Sequence, residues 1–134
     1  MKKLLLLVSI LSCLTVSCID KEFPPLEELG GSVFLPDGPD LFTITNVEQV
    51  RTSGTLRRIS LTFASIYNDL PLQQQENITG AVIITPRREV GIGLTRTSLV
   101  ETDEYEIGQN ICYSFFFITN NGNSRETVHC FDVE

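Results

Sequence analysis

The stretch that decides the fold is residues 112–130, CYSFFFITNNGNSRETVHC, in which two cysteines bracket two extended runs and an Asn-Asn-Gly. A three-residue loop at 120–122 suits a type I turn followed by a glycine in the left-handed region. Thr119 then faces Asn123, and the numbers of every further pair of opposed residues total 242. A loop of two or four residues would shift this register by one.

The turn alone sets this register, without any use of the cysteines. The register nevertheless places Cys112 directly opposite Cys130. Opposed residues of a non-hydrogen-bonded pair have Cα atoms about 4.5 Å apart, which is within reach of a disulfide. We therefore predict a cross-strand disulfide and rank two free thiols below it. A zinc site is a poorer alternative, because two cysteines and one nearby histidine fall short of four ligands. A redox site would call for Cys-x-x-Cys, which the sequence lacks.

The same register sorts the hairpin side chains onto two faces. One face is the better candidate for the core. The other carries both cysteines and is apolar enough to need cover by its own chain or by a partner, and we favour its own chain. The core candidates are Ile111, Tyr113, Phe115, Phe117 and Phe131, and the candidate partner-binding patch is Phe116, Ile118 and Val128.

Residues 33–134 have the pattern of an all-β protein. Residues 56–65 alternate, with Ile59, Leu61 and Phe63 on one face, as in a half-buried antiparallel strand. Many short strands without a sustained helical period imply a sandwich or a barrel. We also expect strands at 41–47, 78–85 and 89–96, a polar loop at 68–77 and an acidic connection at 101–108.

The N-terminus has the pattern of a signal peptide. Lys2 and Lys3 precede an apolar run over residues 4–16, which is shorter than the roughly 20 residues of a membrane-spanning helix.

The end of this segment, LTVSC, resembles the lipobox of bacterial lipoproteins, with a small residue directly before Cys18. In that family the cysteine is acylated and becomes the first residue of the mature chain. Thr15 stands where the family prefers leucine, and Cys13 in ILSC is the alternative lipidation site. An ordinary cleaved secretory signal ranks third.

The IDKEF that follows Cys18 resembles the acidic tag of surface-exposed lipoproteins in Bacteroidota-type bacteria. The resemblance implies an outer-membrane lipoprotein of the cell envelope, exposed at the surface, with a periplasm-facing anchor as the alternative. The predicted organisation is a signal peptide at 1–17, a lipid-anchored tether at 18–32 with Pro-Pro and Gly-Gly pairs, and a β-sandwich domain at 33–134.

RRISLTF and CYSFFFITNNG together resemble the fibronectin type III and immunoglobulin-like superfamily. Its early strand alternates apolar residues and ends in an aromatic residue, here Phe63 in place of the usual tryptophan. Its late strand begins at a tyrosine, here Tyr113, and runs to an Asn-Gly turn. The resemblance implies an antiparallel β-sandwich that acts as a binding or spacing module, with no particular ligand.

Catalytic and ligand-binding patterns are weak. His129 is the only histidine, and its position in a strand favours packing. The carboxylates at 101–106 lack the spacing of a calcium loop and are expected to be solvated. Tyr67 or Tyr105 offers an aromatic surface for carbohydrate, without any tryptophan to strengthen it. We expect no catalytic residue, no metal and no cofactor.

The formal net charge of −7 argues against nucleic acid as a partner. The pairs at 57–58 and 87–88 are expected to be solvated strand ends. We therefore expect a non-enzymatic binding, adhesion or spacer protein of the envelope, held to the membrane by its lipid, with an envelope protein or glycan as partner. The alternative is a small envelope enzyme or an inhibitor of a secreted enzyme.

Overall fold

The computed structural model describes residues 38–134. They belong to one compact unit. The expectations for the signal peptide, for lipidation at Cys18 or Cys13 and for the tether fall outside the described residues.

The described chain is an all-β sandwich, as the sequence predicts. Its single α-helix, α1, is Leu72–Asn77, and a short 3-10 turn precedes it at Tyr67–Asp69. Among residues 38–134, no helix has the length and apolarity needed to cross a membrane. The strands are β1 (Phe42–Ser53), β2 (Leu56–Ser65), β3 (Ile78–Ile84), β4 (Glu89–Ile92), β5 (Ser98–Glu106), β6 (Asn110–Thr119), β7 (Gly122–Asn123) and β8 (Thr127–Asp132).

Two antiparallel sheets divide these strands. The first has the order β1-β2-β5, and the second has the order β4-β3-β6, with β7 and β8 both pairing with the far side of β6. In an immunoglobulin constant-type sandwich, the first, second, fourth and fifth strands share one sheet, and the third joins the last two in the other. The order here agrees for β1, β2 and β5 and for β3 beside β6, but it differs at β4, which pairs with β3.

The core lies between the inner faces, where the alternation of the strands directs their apolar side chains. Ile59, Leu61 and Phe63 of β2 are all buried, in agreement with the predicted face. Aromatic rings join the two sheets, since the Phe115 ring of β6 lies 5.3 Å from the ring centroids of both Phe42 and Phe63. The core candidates Ile111, Tyr113, Phe115 and Phe117 are also buried, and Phe131 packs against them half-buried.

The last hairpin reaches the predicted register by a different route. Thr119 pairs with Gly122 and not with Asn123, so the loop has two residues. Gly122 has a φ of 117°, which favours glycine. From Phe115 opposite Thr127 onward, the numbers of paired residues total 242. The shift between the two pairings is a β-bulge, in which two residues of the return strand oppose one of β6.

Two predicted connections contain regular structure. The acidic segment at 101–108 is mostly strand β5, and its expected solvation is wrong for Glu101, which is buried. The polar loop at 68–77 ends in helix α1, which begins after Pro71. Pro71 is the N-cap residue, with a ψ of 143°, and a proline is tolerated there because no helical hydrogen bond needs its missing N–H.

Candidate binding face and buried polar cluster

The predicted disulfide is present between Cys112 and Cys130. Their Cα atoms lie 4.1 Å apart, the close approach expected of a non-hydrogen-bonded pair. Both cysteines are exposed, on the side of the sheet that faces away from the core. The disulfide therefore joins the two strands from outside the sandwich.

Around the disulfide lies a surface that we call the apolar outer face. It is the side of the β3-β6-β8 sheet that faces away from the core. Ile118 is 38% exposed and Val128 is 55% exposed. The apolar outer face consists of Val82 and Ile84 of β3, Phe116 and Ile118 of β6, Val128 of β8, and the disulfide.

The centre of this face is shielded from solvent. Phe116 is 7% exposed and Val82, its neighbour across β3, is 3% exposed. Neither belongs to the core cluster between the sheets. The structure thus places all three residues of the predicted patch on one face, but it leaves only Ile118 and Val128 open.

The outer side of the other sheet is polar. Along β2 it presents Arg58, Ser60 and Thr62. Arg58 Nη2 lies 3.7 Å from Glu104 Oε1 of β5, in an exposed ion pair. Val50 and Val100 are its isolated exposed apolar residues. Scattered single apolar residues of this kind are normal for a protein surface, so this side has no comparable patch.

A second candidate site is a polar cluster inside the sandwich. Glu101 of β5 is 0% exposed. Its Oε1 accepts a hydrogen bond of 3.2 Å from the Tyr105 hydroxyl. Within the described part of the chain, Glu101 Oε2 and the buried Tyr113 hydroxyl have no hydrogen-bond partner of ordinary geometry. Such a cluster is costly to bury unless charges and donors compensate it.

The compensating charges come from the two arginines of the β3–β4 turn, which are exposed, as predicted, and whose side chains reach β5. Arg88 Nη2 lies 3.8 Å from Glu101 Oε2, and its Nε lies 3.7 Å from Asp103 Oδ2. Arg87 Nη2 donates a hydrogen bond to the Glu104 carbonyl at 3.2 Å. The Arg87 guanidinium also lies 5.5 Å from the centre of the Tyr105 ring, a cation–π contact.

The cluster changes the titration of its tyrosines. Burial, followed by the charge of Glu101, raises the pKa of Tyr105 to about 12. The same two causes, in the same order, raise the pKa of Tyr113 above its ordinary value. Both tyrosines are therefore neutral at physiological pH, and the Tyr105 hydroxyl donates to Glu101 Oε1.

An open cleft of about 420 Å³ adjoins this cluster. It contains the polar side chains of Arg87, Gln109 and Asn110 beside the apolar Ile111. The Tyr105 ring, a candidate for stacking on carbohydrate, is only 2% exposed and lies under Arg87. Its aromatic surface is therefore not open to a ligand in this arrangement.

His129 lies away from the cluster and has a packing environment. Its Nε2 is 2.9 Å from the Phe42 carbonyl oxygen, which accepts the ring N–H. The ring meets Phe115 edge-on, at 6.1 Å between centroids. Residues 38–134 contain no group of three or more His, Cys, Asp or Glu side chains placed to hold a metal ion.

Comparison of the chain with protein-family models, with curated proteins and with solved structures finds no significant match.

Sequence reasoning missed two parts of these sites. The first part is Val82 and Ile84, which extend the patch onto β3. The continuous apolar run at 78–85 could have indicated them, because a strand that is apolar on both faces needs both faces covered. Glu101 was missed because a carboxylate at an inward position interrupts the alternation that Leu99 and Tyr105 otherwise show.

Proposed function

We propose that the protein is a lipid-anchored, non-enzymatic binding module of the bacterial cell envelope, with the apolar outer face as its contact surface. Cys18 carries the lipid, and the tether at 18–32 separates the sandwich from the membrane. The single observation that carries the proposal is the contrast between the outer sides of the two sheets, since only one groups several apolar side chains, with Ser114 between Ile84 and Val128.

Two further features support an extracytoplasmic location. Disulfides persist in oxidising compartments such as the periplasm and the cell surface, and the Cys112–Cys130 bond is exposed to the surrounding redox conditions. The N-terminal pattern of two lysines, an apolar run and a small residue before cysteine supplies the export signal and the anchor.

The anchor is tested by labelling cells with a radioactive fatty acid. We expect the label on the wild-type protein and on a Cys13→Ser variant, and none on Cys18→Ser. Loss of the label in Cys13→Ser alone would move the anchor to that residue. An unlabelled wild-type protein would refute lipidation.

The contact face is tested with a photo-crosslinking amino acid placed at Val128 in intact cells. The matched control carries it at Ser60, on the polar side of the other sheet. We expect adducts with an envelope protein or glycan from position 128 and none from position 60. Adducts in equal amount from both positions, or from neither, would refute the apolar outer face as the contact surface.

A further inference from the structure

We propose that the open cleft beside the buried polar cluster binds a uronate, a sugar that carries a carboxylate, with the Arg87 guanidinium as its anion-binding group. The residues that line this cleft are distinct from those of the apolar outer face. The inference therefore goes beyond the proposed function and adds a second, polar binding site to the domain.

Arg87 brings to the cleft a cation that is held in position and is not neutralised. Its Nη2 donates to the Glu104 carbonyl at 3.2 Å, and its guanidinium lies 5.5 Å from the centre of the neutral Tyr105 ring. Arg87 forms no ion pair with any carboxylate of residues 38–134, whereas Arg88 lies beside two carboxylates of β5. Most of the Arg87 N–H donors therefore remain for an anion, and a planar carboxylate matches them in a bidentate pair.

Two more arginines follow one another on the neighbouring strands. Arg57 of β2 lies opposite Tyr105 of β5, and Arg51 of β1 lies opposite Arg57. Within the described part of the chain, neither arginine takes part in an ion pair. Neighbouring strands are only about 4.8 Å apart, and like charges directly opposite each other repel. An anion at this end of the sandwich would therefore relieve a repulsion that the fold leaves in place.

Two side-chain amides of the cleft are held in defined orientations. Gln109 Oε1 accepts a hydrogen bond from the Glu106 N–H at 3.0 Å, which leaves the Gln109 Nε2 group to donate. Asn110 Nδ2 donates to Asp132 Oδ1 at 2.8 Å, which leaves Asn110 Oδ1 to accept. A fixed donor and a fixed acceptor suit sugar hydroxyls, because each hydroxyl both donates and accepts. Groups that are ordered in advance also lose less entropy when a ligand binds.

Other anionic ligands fit this cleft less well. A peptide would bind most simply by adding a strand to the sheet beside β5, but the Arg87 side chain already bonds to the Glu104 carbonyl of that strand. A single-stranded nucleic acid would need an open aromatic ring on which to stack its bases, and the Tyr105 ring is only 2% exposed. A uronate needs neither feature, since its carboxylate and hydroxyls are its binding groups.

Titration calorimetry with digalacturonate tests the proposal, on the full-length protein in a neutral detergent. We expect the wild type to bind it, and Arg87→Gln to bind it about tenfold more weakly, because a contact to a charged group is lost. The uncharged dimethyl ester of digalacturonate should bind the wild type with a similar loss. The matched control is Arg96→Gln, which removes an exposed arginine between β4 and β5 and should bind like the wild type.

Gln109→Glu provides a second variant in case Arg87→Gln does not fold. It keeps the acceptor oxygen for the Glu106 N–H, so the urea midpoint should be unchanged, but it places a negative charge in the cleft and should abolish binding. Retained binding in both variants would refute the proposal. So would no binding by the wild type, equal binding of the ester, or equal weakening in Arg96→Gln.

A peptide ligand and the apolar outer face are distinguished by two further measurements. If triglutamate binds more tightly than digalacturonate and loses affinity in Arg87→Gln, the ligand is an acidic peptide and the uronate is refuted. Ile118→Thr, on the apolar outer face, should bind digalacturonate like the wild type, and a loss there would refute the cleft as the site. Crosslinking at Val128 does not depend on these results, so the cleft and the proposed function can fail separately.

Discussion

The three-stranded sheet turns serine, threonine and paired charges outward and buries the carboxylate of Glu101 inside. The five-stranded sheet buries aromatic side chains in the core and turns valine, isoleucine and phenylalanine outward. A sandwich normally places apolar residues inside and polar ones outside. The two sheets thus depart from that rule in opposite directions, one on its inner side and the other on its outer side.

The two sheets carry two different free-energy costs. A buried carboxylate must be compensated within the fold, and here the Tyr105 hydroxyl and the Arg88 guanidinium provide the compensation. An outward apolar surface has no such requirement for folding, because its cost is contact with water and the risk of association. We therefore expect substitutions at Glu101 to affect stability, and substitutions at Ile118 or Val128 to affect association.

The largest effect is expected from removing the disulfide, which belongs to the five-stranded sheet. The double substitution Cys112→Ala, Cys130→Ala should lower the free energy of unfolding by about 3 kcal/mol, because a loop of this size is no longer closed in the unfolded chain. Urea denaturation measures it. Reductant should destabilise the wild type by a similar amount and leave the variant unchanged; equal sensitivity of both would contradict the assignment.

The next effect tests the inner side of the three-stranded sheet. Glu101→Ala should lower the free energy of unfolding by about 2–3 kcal/mol, because it leaves the buried Tyr105 hydroxyl without its acceptor. Glu101→Gln keeps an acceptor and should cost less. The matched control is Glu104→Ala, which removes only the exposed pair with Arg58 and should cost less than about 1 kcal/mol. Equal losses for Glu101→Ala and Glu104→Ala would show that the buried cluster contributes nothing special.

Alkaline pH should weaken the same cluster. Burial raises the pKa of Tyr105 to about 12 in the folded protein, whereas the unfolded chain releases the proton near 10. The stabilisation is thus complete below pH 10 and is lost as pH rises toward 12, by up to about 1.4 kcal/mol per pH unit for each such tyrosine. Urea midpoints between pH 8 and 11 measure the loss. The decline should be shallower in Tyr105→Phe and Tyr113→Phe; a decline of unchanged slope in both would contradict the assignment.

The smallest effect on stability is expected at the apolar outer face. Ile118→Thr and Val128→Thr should change the free energy of unfolding by no more than about 0.5 kcal/mol each, because both side chains are substantially exposed. They should reduce binding of a hydrophobic dye to the folded protein. Val50→Thr and Val100→Thr, exposed on the other sheet, are the matched controls and should leave dye binding unchanged. A greater loss of dye binding in the controls would reverse the contrast between the sheets.

The sequence was sufficient for the sandwich and for the disulfide, because both depend on local rules. Ile59, Leu61 and Phe63 report a buried face by period alone, and the hairpin turn brings Cys112 opposite Cys130. The predicted loop length was wrong, but a two-residue loop with a one-residue bulge has the same effect on register as a three-residue loop. Either hairpin geometry therefore places Cys112 opposite Cys130.

The polar cluster was beyond local rules. Arg88 meets Glu101 only because the β3–β4 turn of one sheet folds against β5 of the other. No period or turn signal encodes a contact between two sheets, so an acidic strand looked like an exposed connection. The sequence predicted only the β6 and β8 residues of the apolar outer face for the same reason. Val82 lies beside Phe116 through pairing between β3 and β6, which are distant in sequence.

The way in which β1 lies along β8 determines how the sandwich responds to pulling. Three contacts join the start of the described chain to the last hairpin: Arg125 with the Pro39 carbonyl, the Leu41 N–H with Thr127 Oγ1 at 3.0 Å, and His129 with the Phe42 carbonyl. Tension applied through the N-terminal side of the domain is therefore transmitted directly to strand β8. The covalent bond from Cys130 to Cys112 transfers that load to β6 at the centre of its sheet. The last hairpin is thus mechanically reinforced, and we expect it to resist separation of its strands under force.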